Sequence, residues 1–142
     1  MVDLSFSSPS RVASDFNLCA APQTQLDRAT LAMSVMSTIM TVVQYDFEFG
    51  NNNIPYMCQA IMNSTAYQGL ANFFTSQSGT CNDILFNDFI ASLANVTYDP
   101  AQNMRQWTYQ TCTEFGYFQT TTRFGEKEDQ FFFVSFFILS FV

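Results

Sequence analysis

The chain has 142 residues, of which 48% are hydrophobic, enough for one domain with a real core. Twelve Asp and Glu against five Lys and Arg leave a net charge of −7. That argues against nucleic acid and anionic membrane surfaces as partners, because both select a basic footprint. No run of about 20 apolar residues is evident, so no membrane span is expected. Residues 1–9 lack the basic start and apolar run of a signal peptide.

Taken in chain order, residues 1–10 are serine-rich and read as a loose end. Ser10–Cys19 suggests a short helix through Val12, Phe16 and Cys19, and Pro22 marks a turn. Thr24–Tyr45 is the clearest helix. Thr24 and Asp27 form a capping-box-like start. Leu26, Ala29, Met33, Met36, Met40 and Val43 make one apolar stripe. Leu31, Val35, Ile39 and Val42 make a second, so burial on more than one side is expected, with the methionines in the core.

Asp46–Asn53 breaks that helix. Asn53 can cap the next, with Pro55 in its first turn, running to about Met62. Thr65–Thr75 continues the helical pattern, with Tyr67, Leu70, Phe73 and Phe74 on one face. Ser76–Thr80 is a polar turn. Asn82–Ala94 is amphipathic through Phe86, Phe89, Ile90 and Leu93. Asn95–Met104, with Pro100, reads as a linker.

Arg105–Thr120, RQWTYQTCTEFGYFQT, holds the single tryptophan and the fourth cysteine. Its alternation predicts a strand, with Trp107, Tyr109 and Thr111 on one face and Thr108, Gln110 and Cys112 on the other. Glu114 follows at its end. Residues 121–130 are polar and charged. Residues 131–142, FFFVSFFILSFV, are apolar, free of proline and charge, and fit an aggregation-prone segment.

The chemistry that is missing is informative. The chain contains no histidine, so no Ser-His-Asp or Cys-His machine can be assembled from it. No G-x-S-x-G elbow, H-E-x-x-H pair or glycine-rich phosphate loop occurs. Lys127 lies in a charged run and is a poor base. Asp27, Asp83 and Asp88 read as caps or exposed positions rather than a converging dyad. No catalytic residue, metal site or cofactor is therefore assigned.

The run R-x-W-x-Y-Q-T-C-T-E-F-G-Y-F-Q-T resembles a signature of the family of prolyl carboxypeptidase, dipeptidyl peptidase II and thymus-specific serine protease. Asp15–Cys19, Val43–Tyr45, Ile54–Met62, Cys81–Leu93 and Asn95 follow in the order that family uses, so the resemblance covers about residues 12–124. It implies a mainly α chain: a helical cap, residues 11–104, inserted in an α/β-hydrolase, then residues 105–120 as the strand re-entering the sheet. Residues 121–142 would be a polar linker and an atypical apolar tail.

The resemblance also implies a fragment of a serine-type exopeptidase acting on short or proline-containing peptides, without its catalytic triad. The parent would be secreted or lysosomal, with peptide substrate as its partner. The alternative is a small secreted, disulfide-stapled helical binding module with no enzymatic ancestry. Glu114 is the candidate substrate contact, to meet a peptide's amino end or else to pair with Arg105. The four cysteines allow three pairings. Cys19 with Cys81 is favoured, leaving Cys58 and Cys112 for each other or for cysteines elsewhere. Asn63-Ser64-Thr65 and Asn95-Val96-Thr97 are glycosylation sequons.

Overall fold

A computed structural model describes residues 8–48, 53–100 and 103–116. Most of the expected loose end, the last part of the expected strand, the linker and the apolar tail lie outside the described residues. The chain divides into two units, Met1–Phe89 and Ile90–Val142.

In the first unit, α1 (Pro9–Asp15) places proline in its first turn, where no backbone donor is needed. It stops short of Cys19 because Asn17 turns left-handed, with φ 47°, a conformation asparagine tolerates better than most residues. The chain then runs straight enough for Leu18 to form an isolated parallel bridge with Asn82.

Helix α2 (Gln25–Gln44) starts on a full capping box. The Thr24 hydroxyl accepts from the Asp27 N–H at 3.1 Å. The Asp27 carboxylate accepts from the N–H groups of Thr24 at 2.8 Å and Gln23 at 3.0 Å. Its other oxygen accepts from the Phe86 N–H at 2.9 Å. Asp27 is only 5% exposed, yet its charge is held by donors converging from two parts of the chain.

Helices α3 (Ile54–Met62) and α4 (Ala66–Ser76) form a hairpin. Asn53 accepts from the Tyr56 N–H at 2.9 Å, and Thr65 from the Gln68 N–H at 3.3 Å. Asp46 adds an acceptor for the Ile54 N–H at 2.9 Å. The hairpin closes tightly because position 69 is glycine. A Cβ there would run into the Ile61 carbonyl, which is helix backbone and cannot swing aside.

Two apolar clusters form around these helices. Val12, Phe16, Leu18, Leu31, Ala71, Phe74 and Ile84 make the larger; Val42, Met57 and Phe73 make the smaller. Phe16 meets Tyr67 edge-on, with ring centroids 5.7 Å apart. The Tyr67 hydroxyl donates to Asp15 at 2.8 Å, while Arg11 approaches the same carboxylate at 3.5 Å. Burial and the Asp15 charge push the Tyr67 phenol up to about 12.

On α2 the core takes the stripe of Leu31, Val35 and Val42. Met36 and Val43, from the other stripe, are 38% and 53% exposed. The expectation of burial on several sides therefore holds for Ala29 but not for the stripe as a whole. By length and composition α2 could cross a bilayer, contrary to the reading that no such segment exists. Its capping box and its share of both clusters are contacts of a helix in a protein core.

Helix α5 (Phe86–Ala94) is shorter than expected from the sequence. Residues 82–85 stay outside the helix because Asn82 bridges to Leu18 and Phe86 gives its N–H to Asp27. In the second unit, α6 (Met104–Gln110) runs into one π-helical turn, Thr111–Phe115. Gly116, at φ 57°, closes that turn by donating its N–H to the Thr111 carbonyl.

This overturns the strand expected at Arg105–Thr120. No β-strand occurs among the described residues, so the expected α/β-hydrolase core strand is absent and the fold class is all-helical. Thr108 and Thr111 are the buried pair, three positions apart, whereas Trp107 and Tyr109 are exposed. That is helical spacing, not alternation. The threonine hydroxyls of Thr111 and Thr113 donate to the carbonyls of Thr108 and Tyr109 at 2.9 and 2.8 Å. β-Branched residues thus serve a helix here, and their strand preference gives way to context.

Two stability changes are expected. Gly69→Ala should cost about 1–3 kcal/mol by overpacking, despite the roughly 1 kcal/mol that Ala gains over Gly within a helix. Urea unfolding checks this. At Asp27, burial raises the carboxyl pKa, but the Phe86 and Thr24 N–H groups, the Thr24 hydroxyl and the Gln23 N–H outweigh it and hold it below its ordinary 3.8. The stabilisation is therefore complete above the unfolded pKa of about 3.9 and is lost as pH falls through the lower folded value. Asp27→Asn should cost about 2–3 kcal/mol at neutral pH and flatten the fall in stability below about pH 4.

Candidate functional site

A polar constellation lies where the chain after α1 meets the segment before α5. Cys19 and Cys81 are joined by a disulfide, with Cα atoms 4.9 Å apart. Asparagines on either side tie the same two segments together. The Cys19 N–H donates to the Asn82 carbonyl at 2.9 Å, and the Asn82 N–H donates to the Asn17 carbonyl at 2.8 Å. The Asn82 side chain donates to the Phe16 carbonyl and the Asn17 side chain to the Thr80 carbonyl, both at 3.2 Å. The asparagine part is absent from the sequence reading. Asn17-Leu18-Cys19 and Cys81-Asn82 lie in stretches that carry the family resemblance, but nothing in their letters links the two asparagines, and the cysteine pairing was the available signal.

Cys58, on α3, and Cys112, in the π-turn, are free thiols; the first is exposed and the second half-buried. Asn63 is exposed at the C-cap of α3. Asn95 is exposed just beyond α5, with its side-chain oxygen accepting from the Thr97 N–H at 3.0 Å.

Glu114 is exposed within the π-turn rather than following a strand. It makes no ion pair with Arg105 among the described residues. The strand-end geometry that made it a candidate is gone. What remains is a solvent-facing carboxylate on a turn fixed by Gly116. Among the described residues no group of His, Cys, Asp and Glu is gathered as a metal site. Asp27 has its oxygens occupied by N–H donors, and Asp83 accepts from the Leu85 N–H at 3.1 Å. Neither is arranged to share a proton with a second carboxyl.

One concavity lies within the second unit. About 280 Å³ in volume, it is lined by the end of α5, the loop 95–99 and the first turn of α6. Leu93, Val96, Tyr98 and Met104 contribute its apolar lining, and Asn95 and Arg105 are among its polar groups.

The described residues are thus helical and closed by one disulfide. The family described as "Serine carboxypeptidase S28" matches residues 5–141, and the chain belongs to it. The match includes the apolar tail and extends beyond the resemblance read at about residues 12–124. A Caenorhabditis elegans protein named as a "Putative serine protease" is 36% identical over 123 residues. The alignment covers 75% of this chain and 24% of that protein, so the chain spans about a quarter of the relative's length. No solved structure matches.

The disulfide closes a separation of 62 residues, a constraint on the unfolded chain of roughly 4 kcal/mol in the chain-entropy model. Cys19→Ser with Cys81→Ser should lower stability by about 2–5 kcal/mol, measured by thermal unfolding beside the oxidised chain. An equal melting temperature in the two forms contradicts this.

Proposed function

We propose that this chain is a non-catalytic helical region of a serine exopeptidase that acts on short or proline-containing peptides. The whole protein would be secreted or lysosomal. The carrying observation is a family of serine carboxypeptidases matched along a chain with no histidine. A serine without a base of near-neutral pKa lacks general-base help worth about 10²–10⁴-fold. The Ser-Lys substitute is not available either, because Lys127 is the chain's single lysine and sits among acidic residues.

The role left to such a region is to shape access to a site whose reacting groups are elsewhere. Its helices would narrow the approach and favour short peptides. Glu114, exposed on its turn, would offer a carboxylate to a peptide's amino end. The disulfide and paired asparagines support this reading by holding helical segments rigidly, as a specificity-determining wall requires. The other reading, a secreted binding module without enzymatic ancestry, has the family match against it.

The purified 142-residue chain should hydrolyse neither prolyl dipeptide substrates nor carboxy-terminal ones, at acidic or neutral pH. Turnover that co-purifies with the chain and is blocked by a serine-directed phosphonate would sink this reading. In a longer protein that contains this region, Glu114→Gln should raise KM several-fold for substrates with a free amino end and leave blocked substrates unchanged. Equal effects on both would remove Glu114 from substrate binding.

A further inference from the structure

The cavity of about 280 Å³ in the second unit has an unusual lining. Leu93 is buried, but Val96 and Tyr98 are 78% and 79% exposed, so a branched hydrocarbon and a phenol ring stand in water at the edge of a concavity. Exposed apolar side chains clustered around a hollow are a surface that something usually covers. Asn95 belongs to the same lining. It opens the sequon Asn95-Val96-Thr97, and its oxygen is bound by the Thr97 N–H. That Asx turn leaves the amide nitrogen, Nδ2, as the free end of an exposed side chain.

We propose that Asn95 carries an N-linked glycan and that its first N-acetylglucosamine occupies this cavity. In the attachment step Asn95 Nδ2 forms a bond to the sugar's anomeric carbon. The bond from that carbon to the diphosphate of a lipid-linked oligosaccharide donor breaks. The lipid diphosphate leaves with the electron pair, and Nδ2 loses one proton. The ligand is thus covalently tethered beside its own receptor, and a tether turns weak contacts into effective ones by holding the group at millimolar local concentration.

The lining suits the sugar. The C–H face of the ring and the acetyl methyl would lie against Tyr98, Val96 and Leu93. Arg105, which has no carboxylate partner among the described residues, would donate to ring hydroxyls. The other sequon lacks this setting. Asn63 caps α3, its Thr65 hydroxyl is engaged by the Gln68 N–H at 3.3 Å, and neither residue lines the cavity.

The inference rests on the proposed secretory parent, so the experiment supplies the route itself. The 142-residue chain, behind an added secretory leader, is expressed in a eukaryotic cell. The secreted product is treated with a glycan amidase in heavy-oxygen water and mapped by mass spectrometry. Asn95 should appear as heavy-oxygen aspartate, and Asn95→Gln and Thr97→Ala should each remove one glycan. An unmodified Asn95 overturns the proposal, whatever happens at Asn63, and leaves the parent's own compartment an independent question.

Occupation of the cavity is tested by trimming the glycan to a single N-acetylglucosamine and nitrating surface tyrosines. Tyr98 should react several-fold more slowly in the trimmed protein than in the amidase-treated chain, which keeps the wild-type sequence apart from each glycosylated Asn becoming Asp. Equal rates would show that the sugar stands clear of the cavity and overturn that part of the assignment.

Discussion

The structure depends first on one carboxylate. Asp27 lies at the start of the longest helix among the described residues and is almost wholly buried, with no ion pair to it among those residues. A charge in that position survives when its lone pairs are filled by fixed N–H dipoles. Two of those dipoles are the orphan donors before α2, and the third belongs to Phe86, at the start of α5. The same group therefore ends one local problem and creates one long-range constraint. The capping box sets where α2 begins, and the Phe86 bond sets where α5 begins relative to it. A neutral amide keeps one of these roles and loses the other.

The constraint matters because the core it organises among the described residues is small. Its two buried clusters, one of seven residues and one of three, do not use the whole apolar surface of α2. Small cores commonly rely on cross-links that act through the unfolded chain. Here the disulfide between Cys19 and Cys81 does so. The asparagine bonds beside it give the two segments one register, which a disulfide alone would leave free to rotate. Tyr67, Asp15 and Arg11 tie α1 to α4 in the same way. Polar and covalent links thus carry specificity that apolar packing of this extent cannot.

Much of this was legible in the sequence because helix starts are local chemistry. Thr24 with Asp27 and Asn53 before Pro55 each announced a helix, and each side chain accepts from the backbone it was read to cap; Thr65, read only as part of a helical pattern, caps α4 in the same way. What was not legible is what the caps do at a distance. Nothing in Asp27 as a letter reports a bond to Phe86. The choice between the two stripes of α2 also depended on which helices would lie beside it.

The misreading at 105–116 has a sharper cause. Trp-Thr-Tyr-Gln-Thr-Cys-Thr alternates by residue type, and β-branched and aromatic residues favour strands on average. The same letters place Thr108 and Thr111 on one helical face, and these two residues are the ones buried. Period two and period three were both present, and burial chose between them. The expected placement of Glu114 depended on that choice, since a strand end would have aimed it into a crevice and the π-turn leaves it in solvent.

The distribution of polar groups distinguishes the interior of the described region from its surface. Two of its three buried polar side chains among the described residues are committed. Asp27 is saturated by N–H donors, and the Thr111 hydroxyl donates to the Thr108 carbonyl. A catalytic group must have an unsatisfied atom in a shielded place, whereas a wall must have none, because an unmet buried donor or acceptor softens it. Glu114 and Arg105, which form no ion pair among the described residues, are exposed instead. Asp27 therefore serves the fold, whereas Glu114 and Arg105 keep their polar atoms in reach of a ligand in solvent.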